Sequence, residues 1–154
     1  MPENEVVQEF VSRVQRGELN GVSITYRASG GMPGEAHVRE QMTIMDGARA
    51  EARREATGTP PAEAAADVDV RQIEELFQKL ARGVGELVPR EQAQFVPDSL
   101  VGSVTIEIGG QSTTLFYLAD AEERRDQNKP LSPDALEALE GMARLSRDLV
   151  QRNP

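Results

Sequence analysis

Residues 101–118 leave this chain little choice of local structure. Val104, Ile106 and Ile108 alternate with Thr105 and Glu107, so an extended backbone here has one apolar and one polar face. Gly109-Gly110 follows, and two adjacent glycines supply the positive-φ pair that a two-residue hairpin turn requires. The chain then returns through residues 111–118, with Thr113, Thr114, Leu115, Phe116 and Tyr117. The spacing predicts an antiparallel hairpin, and a hairpin this long needs further strands or helices to cover its apolar face.

A similar pattern lies upstream. Val22, Ile24, Tyr26 and Ala28 alternate with Ser23, Thr25 and Arg27, which predicts a half-buried strand. Ser29, Gly30, Gly31, Met32, Pro33 and Gly34 break it and form a turn. A second strand is expected over 36–45, with Val38, Met42 and Ile44 on one face; Glu40 interrupts that face and suggests an edge or a bulge. Asp46-Gly47 is again a two-residue hairpin signal. Ala48, Ala50 and Ala52 then alternate with Arg49, Glu51 and Arg53. The alternation and the turn favour a strand, whereas the composition favours a helix. Pro60-Pro61 and the small residues around them predict a mobile loop over 57–68, and the charged stretch 120–130 is expected to behave likewise.

Three segments have helical spacing. Val6, Val7, Phe10, Val11 and Val14 share one face of residues 5–16, with Gly17 as the stop. Val70, Ile73, Leu76, Phe77, Leu80 and Val84 do so over 69–86, with Asp69 as N-cap. Ser132-Pro133-Asp134 opens the third, which is lined by Leu136, Leu139, Met142, Leu145 and Leu149. The order predicts an α+β fold: an antiparallel sheet from two hairpins with helices packed on one face. At 154 residues a single domain is expected, with an N-terminal helix over about 3–17 preceding an α+β core over about 20–150.

Composition removes several chemistries. There is no Cys and one His, so a zinc ribbon, an iron–sulfur cluster, a catalytic thiol or a disulfide scaffold cannot be built. His37, the one imidazole, falls on the polar side of its strand pattern, and none of the serines lies in a Gly-x-Ser-x-Gly elbow. The acidic pairs Glu74-Glu75, Glu122-Glu123 and Glu137 with Glu140 occupy solvated positions, and Asp67-Val68-Asp69 lacks the rest of a calcium loop. The glycine cluster at 30–34 has no P-loop lysine and is followed by a strand where a phosphate-binding loop needs a helix, so it is a plain turn or a recognition loop. Pro97-Asp98-Ser99 reads as the turn that starts the second hairpin. Thus no enzyme, catalytic residue, metal ligand or cofactor is expected. A net charge of −9 opposes non-specific binding to nucleic acid or to anionic membranes. With an acidic N-terminus and no long apolar run, the expected location is cytoplasmic.

Taken in order, the strand VSITYRASGGMPG, the central helix, PDS, the TIEI-GG-QSTTLFY pattern and the Leu-rich last helix resemble the emfourin family over residues 21–150. Emfourins are small bacterial proteins that inhibit thermolysin-like zinc metalloproteases. The resemblance implies an acidic α+β protease inhibitor that binds the protease cleft through loops. The positions it carries over are Ser29, Gly30, Gly31 and Gly34, Pro97-Asp98-Ser99 and the hairpin around Gly109-Gly110. With Met32 and Pro33 of the same glycine-rich loop, the expected partner-binding residues are Ser29, Gly30, Gly31, Met32, Pro33, Gly34, Pro97, Asp98 and Ser99. A carboxylate from Asp98, Glu35 or Asp120, or a backbone carbonyl, would be available to the open position of the protease zinc. The N-terminal helix and residues 46–68 exceed the compact family pattern. The alternative expectation is a non-catalytic protein–protein interaction module without inhibitory activity.

Overall fold

The computed structural model describes residues 3–30, 38–56, 58–83, 88–89, 101–118 and 133–152. They form three helices, α1 (Glu3–Arg16), α2 (Val70–Gly83) and α3 (Pro133–Arg152). Seven strands accompany them: β1 (Val22–Gly30), β2 (Val38–Met45), β3 (Arg49–Ala56), β4 (Thr59–Asp67), β5 (Val88–Pro89), β6 (Val101–Ile108) and β7 (Gln111–Leu118). One antiparallel sheet contains them all in the order β4-β3-β2-β1-β6-β7-β5. The fold is α+β, as the alternating runs predict. Both expected hairpins form, and β3 and β4 widen the sheet beyond them.

Turn chemistry places the hairpins. Asp46 and Gly47 both have positive φ, 56° and 68°, so the β2–β3 turn twists with its strands. The Asp46 carboxylate accepts a hydrogen bond of 2.7 Å from the Gly21 amide, which ties this turn to the start of β1. Gly109 and Gly110 play the same part between β6 and β7, at 58° and 79°. Gly17, at 71°, ends α1 as expected. The Asp69 carboxylate accepts from the Arg71 amide at 2.9 Å and caps α2.

The register aligns the apolar positions across strands. Ile24 faces Ile44 on β2 and Ile106 on β6; Tyr26 faces Met42 and Val104. All six are buried on the face that the helices cover. There α1 lies over β6 and β7, α3 lies over β2, β3 and β4, and α2 packs against both other helices. The rings of Phe10 on α1 and Phe77 on α2 meet edge to face with centroids 5.9 Å apart. Helix α1 is therefore part of the core: Val6, Phe10 and Val14 belong to the same buried cluster as the sheet. Where α2 meets α3 the backbones come close, since a β-carbon on Gly83 would lie 2.8 Å from the Ala135 Cα.

Two expectations are overturned. The loop expected over 57–68 is replaced over 59–67 by a strand: these residues form β4, which pairs with β3 from Arg49↔Asp67 to Ala56↔Thr59, with a register shift between Arg54 and Ala56. Proline is tolerated because β4 ends the sheet, where one side of the strand has no ladder to lose. Glu40 marks neither an edge nor a bulge. It sits in unbroken register between β1 and β3 and points toward the helices, only 8% exposed. Its carboxylate is compensated by Arg147 of α3 at 3.3 Å and Arg54 of β3 at 3.8 Å. A buried charge is tolerable when it is paired in this way. Residues 48–56, ambiguous by composition, are strand from Arg49 onward. The stretch 120–130 and His37 lie outside the described residues.

Candidate functional site

The sheet face opposite the helices is largely polar over β1, β2 and β3, with Phe116 and Leu118 of β7 falling in the rows of Ser103 and Val101, and the register orders it into rows. One row is made of threonines: Thr114, Thr105, Thr25 and Thr43 stand side by side on β7, β6, β1 and β2. Their hydroxyls pair as Thr25–Thr43 at 3.0 Å and Thr105–Thr114 at 2.8 Å. Such pairs suit a half-buried sheet surface. The next row toward the far ends of β1 and β2 contains Ser103, Arg27, Gln41, Arg53 and Glu63. Beyond it, Val101, Ser29, Arg39 and Glu55 fall in register.

At this end of the sheet Arg27, Ser29, Arg39, Gln41, Arg53 and Glu55 line a concavity of about 380 Å³. Arg53 takes both nearby acids, with Glu55 at 2.6 Å and Glu63 on its other side. The hydrogen bond and charge of Glu55, aided by Glu63, raise the Arg53 pKa above the ordinary guanidinium value. Arg27 donates to the neutral amide of Gln41 at 3.3 Å. Among the described residues, no ion pair involves Arg27 or Arg39 (ten ion pairs are formed elsewhere).

The sequence-predicted site residues are met only in part. Ser29 is half-buried at the end of β1, paired with Arg39 on β2 and Val101 on β6. Gly30 pairs with Val38 and closes the β1–β2 ladder. Gly31, Met32, Pro33 and Gly34 lie outside the described residues, as do Pro97, Asp98, Ser99, Glu35 and Asp120. Even so, the strand ends to which the two predicted segments are joined are neighbours. Gly30 precedes the first segment, Val101 follows the second closely, and Val101 pairs with Ser29.

Sequence reasoning passed over Arg27, Arg39, Arg53 and Glu55. The available signal was their position on the polar side of each alternating run, but which strands would be adjacent was not written there. Among the described residues, no group of three or more His, Asp or Glu side chains is arranged to hold a metal ion. No described helix is long and apolar enough to cross a membrane. No known protein-family model matches the chain, and no curated protein is detectably similar to it.

Proposed function

We propose that this chain is a proteinaceous inhibitor of thermolysin-like zinc metalloproteases, acting through the segments that join β1 to β2 and lead into β6. The resemblance to the emfourin family suggests the target class. The adjacency of Ser29 and Val101 carries the reading, because it brings the roots of both expected contact segments to one end of one sheet. An inhibitor needs a scaffold that holds its contact loops before binding, since preorganisation lowers the ordering cost. The ladders of β1 with β2 and with β6 provide such a scaffold, continuing to Gly30↔Val38 and Ser29↔Val101. In a cleft whose zinc is held by two His and a Glu, a residue from either segment would compete with water for the open position.

The test is a titration of a thermolysin-like protease with the full chain. Inhibition at near-stoichiometric protein is expected. Gly31→Val places a branched side chain in a glycine-rich recognition loop and should weaken inhibition at least about tenfold while the far-ultraviolet circular dichroism is retained. Undiminished protease activity at micromolar protein, across several such enzymes, would reject inhibition. The non-catalytic interaction module, which the polar face of the sheet also supports, would then be the better reading. Deleting α1 is unsuitable as a control, because Val6 and Phe10 are fully buried and their loss would open the core.

A further inference from the structure

We propose that Arg27 and Arg39 form an acid-recognising corner, which docks a carboxylate-bearing segment of a protein partner beside Ser29. The inference deepens the inhibitor reading by giving the chemistry of the docked surface, and it rests on that reading only for the identity of the partner.

Three arginines from three adjacent strands share this corner; of the acids beside them, Glu55 and Glu63 are both taken by Arg53, and Glu40, which also lines the concavity, is held by Arg54 and Arg147. Glu55 lies directly across from Arg39 in the β2–β3 register, the position from which a cross-strand ion pair would normally form. It binds Arg53 instead, as does Glu63 from β4. Arg39 is thus exposed with its natural partner occupied. Arg27, its diagonal neighbour across β1–β2, spends one donor on the neutral Gln41 amide. Among the described residues, two guanidinium groups therefore face one concavity with no acid bound to either, in a chain whose net charge is −9.

Charge complementarity selects the occupant. A guanidinium presents a planar fork of donors that matches a carboxylate, and the half-buried Ser29 hydroxyl adds a donor at the same edge. Local positive charge outweighs distant negative charge within a Debye length, so a short acidic segment is attracted here while an extended polyanion meets the repulsion of the whole molecule. An acidic protein segment fits better than a nucleic acid. Its position beside the β1–β2 connection would let it dock while that connection occupies a cleft.

The experiment follows the arginine side-chain N–H resonances of the full chain during titration with a capped tetraglutamate peptide at low salt. The expected result is a selective shift of Arg27 and Arg39, with affinity lowered at least about tenfold in Arg27→Gln/Arg39→Gln and unchanged in the helix-surface control Arg71→Gln/Arg144→Gln. Both pairs are exposed, and circular dichroism checks that each variant folds. Shifts spread evenly over all arginines, no shift at all, or equal loss in both double variants would overturn the proposal. The peptide assay contains no protease, so its failure is separable from that of the inhibitor reading. In a protease assay the Arg27→Gln/Arg39→Gln variant should raise the inhibition constant about tenfold, with the difference shrinking as salt rises.

Discussion

The centre of the sheet and its β3–β4 wing solve the same packing problem with different side chains. At the centre, Ile24, Ile106, Val104 and Met42 are fully buried beneath the helices. On the wing the corresponding inward positions are Ala50 and Ala52 on β3 and the partly buried Ala62, Ala64 and Ala66 on β4. A branched aliphatic side chain brings about 1.5–3 kcal/mol on burial, and alanine much less. What the wing lacks in buried area it offsets with close approach, because alanines leave room for α3 to cross β3 and β4. Its ladder hydrogen bonds and the pairs Arg53–Glu63 and Arg49–Asp67 add a little, as exposed ion pairs do. The lesson is that width and strength are separate properties of this sheet: the centre is anchored, and the wing is carried.

That difference can be broken by mutation. The largest effect is expected at the centre, where Ile106→Ala should cost about 2–5 kcal/mol in denaturant unfolding. Next is Ala50→Leu, which tests whether the wing is packed or merely empty: at a fully buried site the added carbons should cost about 1–3 kcal/mol, whereas a stabilised variant would show a void beneath α3. Thr113→Val should act in the opposite direction. The Thr113 hydroxyl is buried with no hydrogen-bond partner among the described residues, so its removal is expected to raise stability by about 1 kcal/mol, read as a higher denaturation midpoint. The smallest effect is expected on the outermost strand, where Ala64→Gly should cost about 0.5–1 kcal/mol. A loss there equal to that of Ile106→Ala would erase the distinction between wing and centre.

The same contrast explains what could be read from the residues alone. Where large apolar side chains alternate and glycine marks the turn, the elements follow from local rules; Gly109-Gly110 and the β6–β7 hairpin are the clearest case. The α2 helix is equally legible from its spacing and from Asp69. On the wing the alternation of Ala62, Ala64 and Ala66 with Glu63, Ala65 and Asp67 is present, but alanine carries little signal and Pro60-Pro61 argue against a strand. Only the position of β4 at the edge makes proline acceptable, and edge position is a property of the whole sheet. Glu40 is the same case at one residue. Its partner Arg147 is 107 positions away, and no local pattern shows that the two will meet. The candidate site divides in the same way: the glycine-rich segment after β1 is visible as a motif, whereas the arginine corner exists only once β1, β2 and β3 are laid side by side.

The central claim is that partners engage the end of the sheet where Ser29, Arg39 and Val101 meet, not the wing. Amide hydrogen exchange of the full chain, alone and with an excess of a catalytically inactive thermolysin-like protease, tests it directly. The account predicts slowed exchange at the ends of β1, β2 and β6, around Ser29, Arg39 and Val101, with β4 and the outer surface of α3 unchanged. Protection confined to β4 or to the helices, or no protection at all at saturating protease, would contradict it.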